Sequence, residues 1–256
     1  MINFTSKPRY MLDDLIRLVH VLRAPGGCPW DAAQTHLSIR RNFLEEAYEA
    51  CEALDCDDEA MLREELGDVL LQVLFHADIE ADRGRMTIDD IADAECRKLI
   101  FRHPVLVGGE RASWDELKKQ EKGQKTTGEA MQGVARSLPA TWRAEKIQKK
   151  AAKTGFCWES AGQALDKLAE EAQELREAVR DNTNIDEELG DMLFAAVRVA
   201  STLDKDPEQA LHSACEKFIR RFTAMEQSIL AEGRTLEEVS REELLASWDA
   251  QKRNGR

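Results

Sequence analysis

An internal duplication constrains this chain more than any other feature of its sequence. The pentapeptide EELGD stands at Glu64–Asp68 and again at Glu187–Asp191. Four further pairs keep the same order. GGCPWDA (Gly26–Ala32) resembles GFCWES (Gly155–Ser160), and LEEAYEA (Leu44–Ala50) resembles AEEAQEL (Ala169–Leu175), both carrying E-E-x-x-E. KLIFR (Lys98–Arg102) matches KFIRR (Lys217–Arg221), and ASWDELK (Ala112–Lys118) matches ASWDAQK (Ala246–Lys252). Paired signals in one order are the mark of a duplicated module. The stretch between the copies, KKQEKGQKTTGEAMQGVARS, is polar and sustains no apolar period, which predicts a linker or mobile connection. The expected organisation is a first module over 1–118, a polar linker over 119–135 and a second module over 136–256.

The periodicity inside each copy is helical. Leu12, Leu15, Ile16, Val19 and Leu22 keep the spacing of one helix face, and APGG ends the run. Helices are predicted over 36–54 and 59–82, the second closed by the glycine of DRGR, and Thr87 reads as the N-cap of another. The second copy repeats this with helices near 138–153, 161–180, 184–203 and 206–231, the last with Pro207 in its first turn. No stretch alternates as a strand between turn residues. The fold class is all-α, built from two tandem helix-bundle modules.

Composition narrows the functions available. At 43% hydrophobic residues the chain can bury a sizeable core, and six prolines leave its helices uninterrupted. A net charge of −13 argues against a nucleic-acid polymer as partner, because such binding needs a cationic footprint. It leaves open a local basic strip, or a free nucleotide held through metal ions. No apolar run is long enough to span a membrane, and the N-terminus lacks the uncharged segment of a signal peptide. The six scattered cysteines form no C-x-x-C and read as reduced thiols of a cytoplasmic protein.

The acids carry the chemistry. Glu46 and Glu49 are three apart, as are Glu65 and Asp68, so each helix presents two carboxylates on one face. Glu171, Glu174, Glu188 and Asp191 repeat the arrangement. If the two helices of a module pack antiparallel, four carboxylates converge. The plain account is a solvated face in a protein with 49 Asp and Glu residues. Against it, like charges at this spacing cost about 0.2–0.5 kcal/mol per pair, and a mid-helix glycine costs about 1 kcal/mol against alanine. Both costs recur in both copies beside the apolar runs VLLQVLF and MLFAAV. Carboxylates held at the edge of a core need cations, and Gly67 and Gly190 are expected to admit a neighbouring helix or a metal's water shell. An all-oxygen donor set suits a hard ion such as Mg²⁺. A di-iron bundle needs E-x-x-H, and the residues three before the histidines are Arg17, Ala33, Val73, Ile100 and Gln209.

Lys98 with Arg102, and Lys217 with Arg221, place two cations on one helical face. In isolation each pair is an ordinary solvated face; repeated beside a carboxylate site, it suits phosphate, which Arg grips bidentately and Lys as a point charge. Trp114 and Trp248 are either core fillers or stacking faces for a base. No G-x-x-x-x-G-K-[ST] loop occurs in the sequence, so P-loop chemistry is excluded.

E-E-x-x-E followed by E-x-x-D on helices, twice, with GCPWD and RHP in the first copy, resembles the MazG family of nucleoside triphosphate pyrophosphohydrolases over nearly the whole chain. The resemblance implies an all-α pyrophosphatase fold, dependence on Mg²⁺ (with Mn²⁺ as a substitute), and a homodimer. It also implies hydrolysis of NTPs and dNTPs, ATP among them, to monophosphate and pyrophosphate. Carried over by motif, Glu171, Glu174, Glu188 and Asp191 are metal ligands of the second copy, and Glu46, Glu49, Glu65 and Asp68 those of the first. Lys217 and Arg221 would hold phosphates and Trp248 would contact the base or close the site, with Lys98, Arg102 and Trp114 as counterparts. Glu170 and Glu45 would orient or deprotonate the attacking water. Where the family usually continues HPHVF, this chain has HPVLV at His103–Val107. Another metal-dependent nucleotide or alarmone phosphohydrolase, or a non-catalytic nucleotide-sensing module, remains an alternative.

The two copies differ at one telling position. Lys167 lies four residues before Glu171 and shares its face, whereas the aligned residue of the first copy is the uncharged Asn42. Lys167 is therefore a further substrate-binding residue, and the second module is the expected principal catalytic site.

Overall fold

A computed structural model describes residues 4–254. Among them are α-helices and two 3₁₀ turns, with no strand, and no described helix is long and apolar enough to cross a membrane. The chain divides into two compact units, 1–118 and 119–256.

In the first unit, α1 (Leu12–Arg23) follows a cap in which Asp14 accepts from the Met11 amide at 2.9 Å. After α2 (Pro29–Ala32) come α3 (Arg40–Asp55) and α4 (Glu59–Asp82), the helices that bear the acids. The turn between them is only three residues long. Asp57 takes a left-handed φ of 53° there, and Asp58 caps α4 by accepting from the Ala60 and Met61 amides. So short a connection folds α3 and α4 into a hairpin. Thr87 caps α5 (Ile88–Arg102) through a reciprocal box with Asp90, as its sequence position predicts. Val19, Ile39, Leu74, Phe75 and Ile79 form the core where α1 meets α4. Gly27 is required here: a Cβ would fall 2.1 Å from the Leu22 carbonyl oxygen that accepts the Cys28 amide.

The second unit repeats the plan. α8 (Ala140–Ala152) packs on α10 (Ile185–Thr202), and α9 (Ala161–Asp181) pairs with α10 along its length. The α9–α10 turn uses Asn182 and Asn184 at φ 52° and 50°, conformations asparagine tolerates better than most residues. Ala164, Ala178 and Ala195 are buried on this pair, so small side chains bring the two helices close. α11 (Pro207–Ala231) and α12 (Arg241–Asn254) build a second small core from Met225, Ile229 and Val239.

Two expectations change. The stretch expected as a featureless linker contains α7 (Thr127–Gln132), capped by a Thr126–Glu129 box and packed on α8, with Ala130 and Val134 buried. Its polarity misleads because one alanine and one valine suffice to dock so short a helix. The second concerns the mid-helix glycines. A Cβ built on Gly67 or Gly190 meets nothing within 4 Å, so no neighbouring helix among the described residues rests on either. α6 (Trp114–Glu121) and α12 were not anticipated, since neither carries a long apolar period.

One polar cluster ties the first unit together. His36 bonds His76 (Nδ1 to Nδ1, 2.7 Å) and Glu80 (Nε2 to Oε1, 2.6 Å), and Arg83 and Arg85 donate to the same Glu80 oxygen. The His36 bond, then the Arg85 bond, hold the buried Glu80 carboxyl down at about 2. Because the folded chain binds this proton more weakly than the unfolded one, the stabilisation is present above the ordinary carboxylate range. It is lost as pH falls through that range toward 2. Glu80→Gln should lower the urea midpoint of the wild-type chain at neutral pH, and the gap should close on acidification. A gap that is independent of pH contradicts this assignment.

Candidate active site

The α9–α10 hairpin gathers the acids of the second unit. Glu171 and Glu174 from α9 and Glu188 from α10 each offer a carboxylate oxygen, all within 4.8 Å of one another. Glu171 is buried at 8% exposure, and a buried carboxylate requires a partner. Lys167, one turn earlier, supplies it at 2.8 Å and bonds Glu170 at the same distance. These two bonds hold the Lys167 ammonium well above its usual range. Glu174 is shifted upward as well. A hydrogen bond with Glu171, then burial and the Glu171 charge, raise its carboxyl above the ordinary value. Two carboxyls in such contact favour a shared proton unless a cation takes its place.

The first unit builds the same cluster without the lysine. Glu46, Glu49 and Glu65 from α3 and α4 present oxygens within 4.8 Å. Burial, then the charges of Asp68 and Glu49, raise the Glu46 carboxyl. Burial, then Glu49 and Glu64, raise that of Glu65. Asn42 offers no charge to offset this. Both clusters are all-oxygen donor sets whose carboxyls are short of positive charge, which is the chemistry a hard divalent cation satisfies.

The remaining sequence-derived residues fall in several places. Asp68 stands beside Glu46, and Asp191 lines a cavity together with Lys167 and Glu171. Glu170 is joined to the cluster through Lys167, whereas Glu45 pairs at 2.8 Å with Arg41 on an exposed face. Lys98 pairs with Glu95 of its own helix. The Arg102 guanidinium lies 5.2 Å over the Trp114 ring, which also meets His103 edge-on. Lys217 and Arg221 lie on α11. Trp248 packs against Phe218 at 5.0 Å and covers the Met225–Ile229 core. None of these three lines the cavity beside Glu171.

That cavity, about 440 Å³, was not foreseen. It is lined by Met131, Phe156, Trp158 and Phe194 together with Lys167, Glu171 and Asp191. The sequence held one pointer to it: Trp158 of GFCWES stands two residues before Ser160, the cap that starts the Glu171 helix.

Tandem all-α units, each folding a helical hairpin around a carboxylate cluster, are the class of protein that the fold and the site define. The MazG nucleotide pyrophosphohydrolase domain matches residues 34–107 and 160–224, taking in both hairpins. The nucleoside triphosphate pyrophosphohydrolase/pyrophosphatase MazG of Thermotoga maritima is 40% identical over 246 residues, covering 94% of this chain and 96% of that protein. The nucleoside triphosphate pyrophosphohydrolase of Escherichia coli K12 is 40% identical over 255 residues, covering 94% and 97%. The chain belongs to the MazG family.

Clustered, proton-hungry carboxylates should gain from a divalent cation. Millimolar Mg²⁺ should raise the melting temperature of the wild-type chain. The double variant Glu49→Gln/Glu174→Gln should lose most of that rise. A melting temperature indifferent to Mg²⁺ would count against both clusters as cation sites.

Proposed function

We propose that this chain hydrolyses nucleoside triphosphates, ribo and deoxyribo, to the monophosphate and pyrophosphate at its second unit. One observation carries the reading: Glu171 of the carboxylate cluster and its partner Lys167 both line the cavity. A ligand seated there meets a cation-binding face and an apolar chamber together. The family and the names of its 40%-identical relatives support the same activity.

Glu171, Glu174, Glu188 and Asp191 would hold Mg²⁺. When bound, the ion neutralises phosphate charge and lowers the pKa of water. Lys167 offers its ammonium to the phosphate oxygens, and Lys217 and Arg221 are candidates for the outer phosphates. Glu170 takes the proton of the attacking water. The water oxygen bonds to the α-phosphorus, the bond from that phosphorus to the bridging oxygen breaks, and pyrophosphate leaves with the bond's electrons. Trp248 is proposed to close over the nucleotide. The first unit, lacking a counterpart to Lys167, is proposed as a structural, regulatory or weaker site, with Glu45 in the place of Glu170.

The chain is proposed to act as a homodimer. Leu66 and Leu70 flank Gly67 on α4, and Leu189 and Leu193 flank Gly190 on α10; all four are exposed, Leu193 at 57%. Apolar side chains around a glycine over open space suit the approach of a second copy. The reducing cytoplasm is the compartment proposed for a chain with six free thiols.

Incubating the protein with Mg²⁺ and a panel of NTPs and dNTPs should release pyrophosphate with the monophosphate; release of orthophosphate with the diphosphate would overturn the reading. Glu174→Ala should abolish turnover and Glu49→Ala should reduce it much less. Equal losses would contradict the ranking of the units. Glu170→Gln should lower kcat far more than metal affinity. Light scattering should give twice the 29.0 kDa chain mass, and a monomer mass would remove the dimer.

A further inference from the structure

The duplication supplies an internal comparison for the cavity. Counting from the paired EELGD segments, Arg198 of α10 corresponds to Phe75 of α4. Counting from Gly26 and Gly155, Ala151 of α8 corresponds to Leu22 of α1. Phe75 belongs with Val19 to the first unit's core, at 5% exposure. Arg198 and Ala151 instead line the open cavity of the second unit. The second unit therefore carries a permanent cation where its sister carries a packed aromatic ring.

Asp191, Phe194, Ala195 and Arg198 follow the i, i+3, i+4, i+7 spacing of one helical stripe, and all four line the cavity. The cavity's carboxylates are Glu171 and Asp191, and Glu171 takes its cation from Lys167. The half-buried Arg198 guanidinium makes no hydrogen bond, ion pair or ring contact with any described residue. Its nitrogens are not among the buried unpaired atoms either, so the donor fork stays accessible. A guanidinium keeps its charge and offers planar N–H donors, so an acceptor brought to it forms a charge-assisted bond. The lining around it includes Ile147, Phe156 and Trp158, a surface suited to a flat heteroaromatic ring more than to a phosphate. Asp191 and Arg198 lie about 10 Å apart along the helix axis, a span that a nucleotide covers between its phosphate and the far edge of its base.

We infer that Arg198 is a specificity-determining residue of the second unit: its guanidinium donates to a carbonyl oxygen on the edge of a nucleobase inserted into this cavity. The ligand class is a keto-base nucleotide. Arginine closes bidentately on O6 and N7 of guanine or hypoxanthine, and donates to O4 of uracil or thymine. An amino group at the same place, as in adenine and cytosine, sets donor against donor. The inference rests on the triphosphate-hydrolysing reading above and goes beyond it by naming the class of base.

The test compares matched substrates. ITP is paired with ATP, and UTP with CTP; within each pair the carbonyl of the first member is an amino group in the second. The wild-type chain should prefer ITP and UTP by roughly ten- to a hundredfold in kcat/KM. Arg198→Met, which keeps much of the length and loses every donor, should bring both ratios near one. Arg198→Leu is read by the same ratios, and circular dichroism identifies which variant is folded. A merely structural role for Arg198 would lower turnover of all four substrates together and leave the ratios unchanged. A wild-type ratio near or below one for either pair, or ratios retained by a folded variant, overturns the assignment. Absence of pyrophosphate from every triphosphate would instead overturn the hydrolytic reading, so the two failures are distinguishable.

Discussion

Mutual repulsion among carboxylates is the constraint around which each unit is arranged. Three acid oxygens within 4.8 Å oppose the fold that brings them together, and in both units a helical hairpin imposes the approach. In the second unit the hairpin is held by buried alanines and by left-handed asparagines in its turn. In the first, a left-handed Asp57 and the Asp58 cap perform the same task. Stability elsewhere in the chain sustains a local arrangement that a shared proton or a nearby positive charge relieves.

The two copies have met this constraint differently. The second keeps Lys167, which satisfies the buried Glu171 and reaches Glu170. It also has an open chamber whose lining includes Glu171 of the cluster. The first has Asn42 in place of the lysine, and fills the corresponding α1–α4 space with Val19 and Phe75. It carries in addition the His36–His76–Glu80 cluster, which links the segment before α3 to α4. One module has a cavity beside its acids, and the other is packed.

Much of this was legible in the sequence, because the signals were local. Apolar spacing marked α1, α3, α4 and α8 to α11, and Thr87 and Pro207 marked helix starts. Acids three apart on two helices joined by a short turn identified both clusters, because helix geometry alone sets which residues share a face. What escaped depended on depth or on distance along the chain. Docking of α7 rests on two apolar residues in a polar stretch. The cavity is made by what is missing, Ala151 where Leu22 would fill, and absence has no periodicity. Motif recurrence brings out Trp248, and recurrence alone does not distinguish a core aromatic from a ligand contact.

The most direct test of the central claim, that water attacks the α-phosphorus, follows the oxygen of the water itself. ATP is hydrolysed by the wild-type chain with Mg²⁺ in ¹⁸O-labelled water, and the products are weighed by mass spectrometry. The account predicts one ¹⁸O in AMP and none in pyrophosphate. Label in pyrophosphate would place the attack at the β-phosphorus, and ADP with labelled orthophosphate would place it at the γ-phosphorus; either result contradicts the account.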